Sequence, residues 1–182
     1  MRYQQTVRLK NGEACLIRSG CAADGQAAHD NFNLTHGQTD FLLSYPDENS
    51  FDVEQEGQFL AQREADPRAV ELCAFFRDRL VGTAGIEAVG KKDKVKYRAE
   101  FGISVEKEYW GLGIGRALTA ACIQCARQAG YHQLELDVVR ENAAAIALYQ
   151  SFGFLEYGRN PKGFHSRLTG WQELILMRLE LI

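Results

Sequence analysis

The chain has 182 residues, 46% of them apolar and 25% charged, and a formal net charge of −3 at pH 7. This length suits one domain with its own core and is short for two, so we expect a single domain over residues 1–182. The slightly acidic balance argues against a nucleic-acid partner, and no apolar run approaches the roughly 18 residues that cross a membrane.

The first third of the chain predicts a hairpin followed by two helices. Asn11-Gly12 lies between two strand-like runs and predicts a type I′ hairpin turn. Residues 22–35 and 53–64 have the spacing of helices. The segment 36–50 between them is irregular, aromatic and acidic, which is typical of a loop.

The middle of the chain predicts three strands. Residues 70–90 form two strand-like runs around a turn at Asp78-Arg79. Residues 96–105 predict a further strand, antiparallel to the preceding one. A glycine-containing loop follows, and then a run with helical periodicity.

The last third predicts helix, strand, helix and two closing strands. The apolar positions of the first helix recur at helical spacing and Gly130 is suited to end it. Residues 133–139 alternate as a strand, and Asn142 is suited to cap the helix that follows, which Gly153 ends. The closing strands are residues 154–159 and 171–181.

Five cysteines, an odd number without a signal-peptide pattern, indicate a reducing cytoplasm. Cys122 and Cys125 form a C-x-x-C pair inside a predicted helix. A zinc site needs a second pair of ligands at matching spacing, and the four histidines supply none. We therefore expect small apolar core residues here and no metal.

The segment EYWGLGIGRAL places Gly111, Gly113 and Gly115 directly before a predicted helix. Unpaired N–H groups at a helix start, approached by glycine backbone, form a ready site for a phosphate. A Walker loop would need a lysine after Gly115, and a dinucleotide fingerprint would need glycine at Arg116. A pyrophosphate cradle of another kind is the remaining functional interpretation, beside a merely flexible turn.

Three ordered motifs carry a resemblance to the GNAT N-acetyltransferase superfamily. The glycine loop resembles its acetyl-CoA motif, Arg/Gln-x-x-Gly-x-Gly/Ala, with Trp110 in place of the first residue. Residues 142–154 are similar to its N-x-x-A-x-x-L-Y-x-x-x-G-F signature, and residues 99–105 to its A-E-x-G-x-x-V strand. The resemblance covers roughly residues 70–160.

The resemblance implies an α+β fold: a mixed, mostly antiparallel sheet of about seven strands flanked by about four helices. The family's fourth and fifth strands splay apart, here after Val105, and acetyl-CoA fills the gap as a cosubstrate. The cofactor-binding residues that it implies are Ile103, Ser104, Val105, Gly111, Leu112, Gly113, Ile114, Gly115, Arg116 and Asn142.

The resemblance also implies direct attack of a primary amine on the thioester in a ternary complex. Tyr149 occupies the position of the family's proton donor to the leaving thiolate. Glu100, on the strand near the acetyl group, is the candidate base; His165, in a predicted loop, and a water chain are the alternatives. The chemistry requires no metal.

Two segments of the chain bear on the acceptor. Segments 36–50 and 158–171 correspond to the walls of the acceptor side; the first is acidic and aromatic, the second basic. This pattern favours a small amine, an amino acid or a peptide or protein amino group, and neither a nucleic acid nor a membrane. A module that binds CoA or acyl-CoA without transferring anything is the alternative, and the acyl-chain preference and a homodimer stay open.

Overall fold

A computed structural model describes all residues 1–182 and contains one eight-stranded sheet with four α-helices. The strand order is β1-β2-β3-β4-β5-β6-β8-β7. The strands are β1 (Gln4–Arg8), β2 (Ala14–Ser19), β3 (Val70–Phe76), β4 (Arg79–Ala88), β5 (Arg98–Val105), β6 (Gln133–Val139), β7 (Leu155–Ser166) and β8 (Gly170–Glu180). The helices are α1 (Gly25–Gln38), α2 (Val53–Ala65), α3 (Ile114–Gln128) and α4 (Ala143–Ser151).

The sheet is mixed and mostly antiparallel, which confirms the predicted α+β class. Only β5 and β6 pair in parallel, and α3 connects them. The sheet has eight strands, the number of strands predicted in chain order, and one more than the count of about seven that the resemblance implies. Strand β7 also continues to Ser166 instead of ending at residue 159, with an irregularity in its pairing between Asn160 and Phe164. His165 therefore lies in a strand rather than in the predicted loop.

Two turns differ from the sequence prediction. The hairpin at Asn11-Gly12 forms, but only Gly12 has a positive φ, so its five-residue connection is not a type I′ turn. Arg77 and Asp78 both have positive φ, at 51° and 62°, and connect β3 to β4. This two-residue connection has the φ signs of a type I′ turn and lies one residue before the predicted turn.

The helices begin near their predicted positions and extend further in the first case. A 3₁₀ turn precedes α1, which continues to Gln38 rather than to residue 35. Asn142 caps α4 as predicted, since its side chain accepts a hydrogen bond from the Ala145 N–H at 3.2 Å. Gly130 and Gly153 follow α3 and α4 with positive φ of 76° and 92°, as their predicted helix-ending role requires.

The two faces of the sheet carry different layers. Helix α3 covers one face with the main core of 29 buried residues. Helices α1 and α2 lie on the other face and approach closely, because Gly25 and Gly57 leave no room for a Cβ against Val53 O and Ala22 O, respectively. Helices α1 and α2 cover one side of the cavity described below.

Cys122 and Cys125 are fully buried in α3 and all five cysteines are free. Burial raises the pKa of both thiols, so they remain uncharged near neutral pH. They are core residues, as predicted.

Candidate active site

The sheet opens between β5 and β6. The two strands pair only from Arg98 and Gln133 to Glu100 and Glu135, although β5 continues to Val105. The separation thus begins after Glu100, five residues earlier than the predicted position after Val105. The longer opening exposes more of the β5 edge to a ligand.

Backbone groups alternate in direction along the open part of β5. Glu106 N–H donates to Val81 O at 2.9 Å, so the even-numbered residues of β5 face β4. The backbone of Ile103 and Val105 therefore faces the opening, and that of Ser104 faces β4. The indole N–H of Trp110 donates to Val105 O at 2.7 Å, which leaves the Ile103 groups and the Val105 N–H as the available donors and acceptor.

The glycine loop presents unpaired N–H groups at the start of α3. Gly111 and Gly113 have φ of 81° and 101°, a region that favours glycine. No protein acceptor bonds the N–H groups of Gly111, Gly113, Ile114, Gly115 or Arg116. These donors and the positive end of the helix dipole suit an anion.

Other groups of the loop are buried or hydrogen-bonded within the protein. Ile114 is buried in the core, and Leu112 O accepts a hydrogen bond from Lys10 N at 3.0 Å. The Arg116 guanidinium donates to Ser151 Oγ at 2.8 Å and lies over the Phe152 ring. Its backbone N–H, rather than its charge, is thus the group that the loop presents.

Lys10 is a neighbour of the cradle that the sequence did not single out. The hydrogen bond from its backbone to Leu112 holds the β1–β2 turn against the glycine loop. Its Cγ lies 3.9 Å from the position of a Cβ built on Gly113, and its exposed ammonium has no ion-pair partner in the structure. No local sequence pattern could link the hairpin to a loop 100 residues away.

A cavity of about 950 Å³ brings together five of the predicted site residues. They are Glu100, Ile103, Ser104, Asn142 and Tyr149. Val105 and residues 111–116 lie beyond its lining, along the continuing edge of β5 and the start of α3. Helices α1 and α2 and the segment 41–51 cover the cavity on the other side.

Tyr149 is 7% exposed and packs edge-on against Phe101, with ring centroids 6.0 Å apart. Its hydroxyl makes no hydrogen bond within the protein and is not among the fully buried oxygen atoms, so it reaches the cavity surface. Burial raises the pKa of Tyr149 well above its usual value. A neutral phenol at this position is able to donate a proton.

Glu100 lies on the face of β5 opposite to Phe101. It stands between the carboxylates of two neighbouring strands. Glu87, Glu100 and Glu135 are direct neighbours across β4, β5 and β6. Arg63 pairs with Glu87 at 2.6 Å, and Arg98 with Glu135 at 2.7 Å. Partial burial and the adjacent Glu87, Asp137 and Glu135 raise the pKa of Glu100.

Phe101 and Glu100 point to opposite faces of the sheet, yet Tyr149 and Glu100 line one cavity. They do so because β5 and β6 part, which joins the α4 side to the side of α1 and α2. The space over Gly102 is open as well, since a Cβ built there meets no atom within 4 Å. The cavity thus passes through the sheet.

Charged residues of the two segments predicted to recognise the acceptor are engaged within the protein instead. Asp40 accepts hydrogen bonds from Ser166, Thr169 and Gln172 at 2.6 to 3.1 Å. Arg167 pairs with Asp47 at 2.8 Å. These contacts hold the segment after α1 against the β7–β8 hairpin. The side chains are therefore engaged within the protein and are not free to bind a substrate.

Glu48 of the predicted acidic segment does line the cavity, but the other charged lining residues lie outside the two predicted segments, and seven of the charged residues in all are carboxylates. Against them stand two guanidinium groups, Arg63 and Arg98, both already paired. Most of these carboxylates come from separate strands and from α2. Alternation within a strand predicts which face of the sheet a side chain occupies, but it does not predict that carboxylates of different elements converge on one cavity. The seven are Glu48, Glu56, Glu71, Glu87, Glu100, Glu135 and Asp137.

His165 does not line the cavity; its ring packs against Trp171 with centroids 4.6 Å apart. The structure contains no group of three or more His, Cys, Asp or Glu side chains placed to hold a metal ion. None of its helices has the length and apolar character to span a bilayer.

A family model described as "Acetyltransferase (GNAT) family" matches residues 34–154. Among curated proteins, human N-acetyltransferase 8B is 36% identical over 84 residues, covering 46% of this chain and 37% of that protein. The L-methionine sulfoximine/L-methionine sulfone acetyltransferase of Salmonella typhimurium is 32% identical over 89 residues, covering 49% and 52%, respectively. The match spans about half or less of the length of these curated relatives.

Solved structures share the fold over nearly the whole chain. A GNAT-family acetyltransferase from Streptococcus pneumoniae has a TM-score of 0.87 at 26% identity, covering 91% of this chain and 99% of its own. The yncA protein of Salmonella typhimurium, solved with its cofactor acetyl-CoA, has a TM-score of 0.81 at 24% identity. That alignment covers 93% of this chain and 95% of the other.

Proposed function

This chain belongs to the GNAT acetyltransferase family, and from that premise we propose that it is an N-acetyltransferase that moves the acetyl group of acetyl-CoA to a primary amine. The observation that carries the proposal is the cavity through the sheet. A buried tyrosine and a group of carboxylates line it, and a loop of unpaired N–H groups lies beyond it along the continuing edge of β5.

The chain's own groups fit acetyl-CoA. The N–H groups of residues 111–116 suit the pyrophosphate, and a Cβ at Gly111 or Gly113 would require strained backbone. The Ile103 backbone and the Val105 N–H suit the amides of the pantetheine arm as an added strand would. Asn142, at the cap of α4, lines the cavity near Tyr149.

Acetyl-CoA supplies an activated carbonyl, which an amine attacks directly. A primary amine is mostly an ammonium at neutral pH, with a pKa near 10.4, and must lose a proton first. A carboxylate of the cavity serves as the acceptor of that proton. Tyr149 donates to the sulfur of the leaving thiolate, because its hydroxyl is protonated near neutral pH and lines the cavity.

The cavity charge favours a cationic acceptor. Seven carboxylates face two paired guanidinium groups, so an ammonium is attracted and a carboxylate on the same acceptor is repelled. Aromatic side chains of α1, α2 and the segment between them, including Phe32, Phe41 and Phe59, add an apolar wall. Amines without a carboxylate are therefore preferred over free amino acids.

The test is a panel of acceptors with detection of the CoA thiol released. The panel contains phenethylamine, 1,5-diaminopentane, L-methionine and a tripeptide with a free N-terminus, each with a blank lacking acceptor. Turnover with the first two above L-methionine is the expected result. Acetyl-CoA binding by calorimetry without turnover on any amine would instead indicate a CoA-binding module, and faster turnover of L-methionine than of the first two amines would refute the preference for amines without a carboxylate.

Lys10→Ala should weaken acetyl-CoA binding without changing the chemistry. An exposed ammonium beside the cradle attracts phosphate through a high-dielectric medium, which is worth about 1 kcal/mol. KM for acetyl-CoA is therefore expected to rise roughly 3- to 10-fold, while kcat/KM for S-acetylpantetheine, which has no phosphate, stays constant. Lys91→Ala, an exposed lysine between β4 and β5, is the matched control; an equal loss with both acyl donors would contradict the assignment.

A further inference from the structure

The carboxyl group of Glu71 lies in a narrow groove over two glycines, Gly85 and Gly102, which we call the lane. Glu71, Gly85 and Gly102 are direct neighbours across β3, β4 and β5. A Cβ built on Gly85 would fall well inside van der Waals contact with Glu71 Oε2, whereas one built on Gly102 would meet no atom within 4 Å. The Glu71 side chain therefore extends over Gly85 towards the open space above Gly102.

This open space is the part of the cavity next to Glu100 and Ser104 on the same face of β5. Side chains at positions 85 and 102 would close it, and their absence gives a ligand access to Glu71 from the opening between β5 and β6. The same lane thus joins the carboxyl group of β3 to the cavity floor.

The surroundings of Glu71 favour proton exchange near neutral pH. Burial raises the pKa of Glu71 to about 7, against the lowering effect of Arg63 and Thr83, while Glu56 and Glu87 raise it further. Arg63 is shared, since its guanidinium pairs with Glu87 at 2.6 Å. The other charged or titratable groups of the cavity lining are His36 of α1, Glu48 of the segment after α1, Arg98 and Glu100 of β5, Glu135 and Asp137 of β6, Tyr149 of α4 and Tyr157 of β7.

Glu100 is the competing carboxylate. It is exposed, and it stands between Glu87 and Glu135 in the row of acids. A base is most effective when its pKa lies near the working pH and it is shielded from bulk water. Of the two carboxyl groups, that of Glu71 is the more enclosed, and its strand lies farther from the opening between β5 and β6.

We propose that Glu71, rather than Glu100, accepts the proton that the acceptor ammonium gives up before it attacks the thioester. This inference rests on the proposed function. The amine nitrogen then forms the N–C bond as the C–S bond breaks, and its second proton passes to water. The thiolate takes a proton from Tyr149, which solvent reprotonates, so one proton is released per turnover.

The experiment is the pH profile of kcat at saturating amine from pH 5.5 to 9.5. In the wild type kcat should rise to a plateau with an apparent pKa near 7. Glu71→Gln should lower kcat about 10²-fold at pH 7.5 and remove the plateau, so that kcat keeps rising with the fraction of free amine. Glu100→Gln should keep the plateau, and so should Glu54→Gln, an exposed acid on α2 outside the cavity.

A second variant keeps the glutamate and moves it. Gly85→Ala should displace the Glu71 carboxyl group, because the new methyl group needs its space, and should lower the plateau while the protein stays folded by circular dichroism. A plateau kept in Glu71→Gln but lost in Glu100→Gln overturns the assignment, and so does a rise in acceptor KM with an unchanged profile. A wild type that releases no CoA with any amine overturns the proposed function itself, and this outcome differs from both.

Discussion

Tyr149→Phe is expected to lower kcat by about 10²-fold or more while KM for acetyl-CoA changes little. The substitution removes only the hydroxyl, which makes no hydrogen bond within the protein and reaches the cavity. The ring keeps its edge-on contact with Phe101 and its contact with Phe154. The loss therefore falls on the departure of the thiolate, which needs a proton donor. Steady-state kinetics with a thiol-reactive reagent measures it.

The control for this variant separates proton donation from packing. Tyr131→Phe removes another buried tyrosine hydroxyl, one that donates to Arg68 O at 2.8 Å on the far side of the core. It should lower the thermal midpoint and leave kcat within about 2-fold. Tyr149→Phe should show the reverse pattern, since no internal hydrogen bond is lost. An unchanged kcat in Tyr149→Phe would make Tyr149 a core residue only.

Local patterns predicted the parts of the fold that depend on neighbours in sequence. The Asn142 cap and the helix-ending Gly130 and Gly153 are set by residues within one or two turns. The resemblance to the GNAT superfamily then implied the α+β class with its mixed sheet. The turn between β3 and β4 was misplaced by one residue, because Arg77 and Asp78 adopt positive φ although neither is glycine.

The missed features depend on contacts between distant segments. Strand β7 passes through Pro161 because pairing with β8 supports both ends of the irregular stretch. Lys10 reaches the glycine loop only through tertiary packing of the hairpin. The loop acids Asp40 and Asp47 were expected to attract substrate, and their engagement with β7–β8 partners is invisible in local sequence.

The acidic cavity shows the same limit most clearly. Glu71 in the run VELCAFF has no motif around it, and its neighbour Gly85 lies 14 residues later. Only strand register brings Glu71, Gly85 and Gly102 into one row across the sheet, beside the row that contains Glu100. A carboxyl group in that setting is costly to ionise, and this cost can be measured in the absence of any substrate.

Glu71→Gln is expected to stabilise the folded protein above neutral pH and to leave its stability unchanged near pH 4. The pKa of Glu71 is raised from an ordinary 4.5 to about 7, so the unfolded chain ionises this group more easily than the folded protein does. Below pH 4.5 both states are protonated and the group has no effect on the free energy of unfolding. Between pH 4.5 and 7 stability falls, and above 7 the full cost of about 3 kcal/mol is present.

Thermal unfolding at pH 4 and pH 8 tests this dependence. The gain of Glu71→Gln at pH 8 should be roughly 5–10 °C, given the sensitivity of a chain of this size, and close to zero at pH 4. Glu54→Gln should shift neither midpoint, because that side chain is exposed on α2. A gain that is equal at both pH values would show that Glu71 is not held in a costly ionised state. The charged form of Glu71 thus lowers the stability of the folded protein and is the form that turnover requires. This combination is expected of a proton acceptor that is buried in the protein.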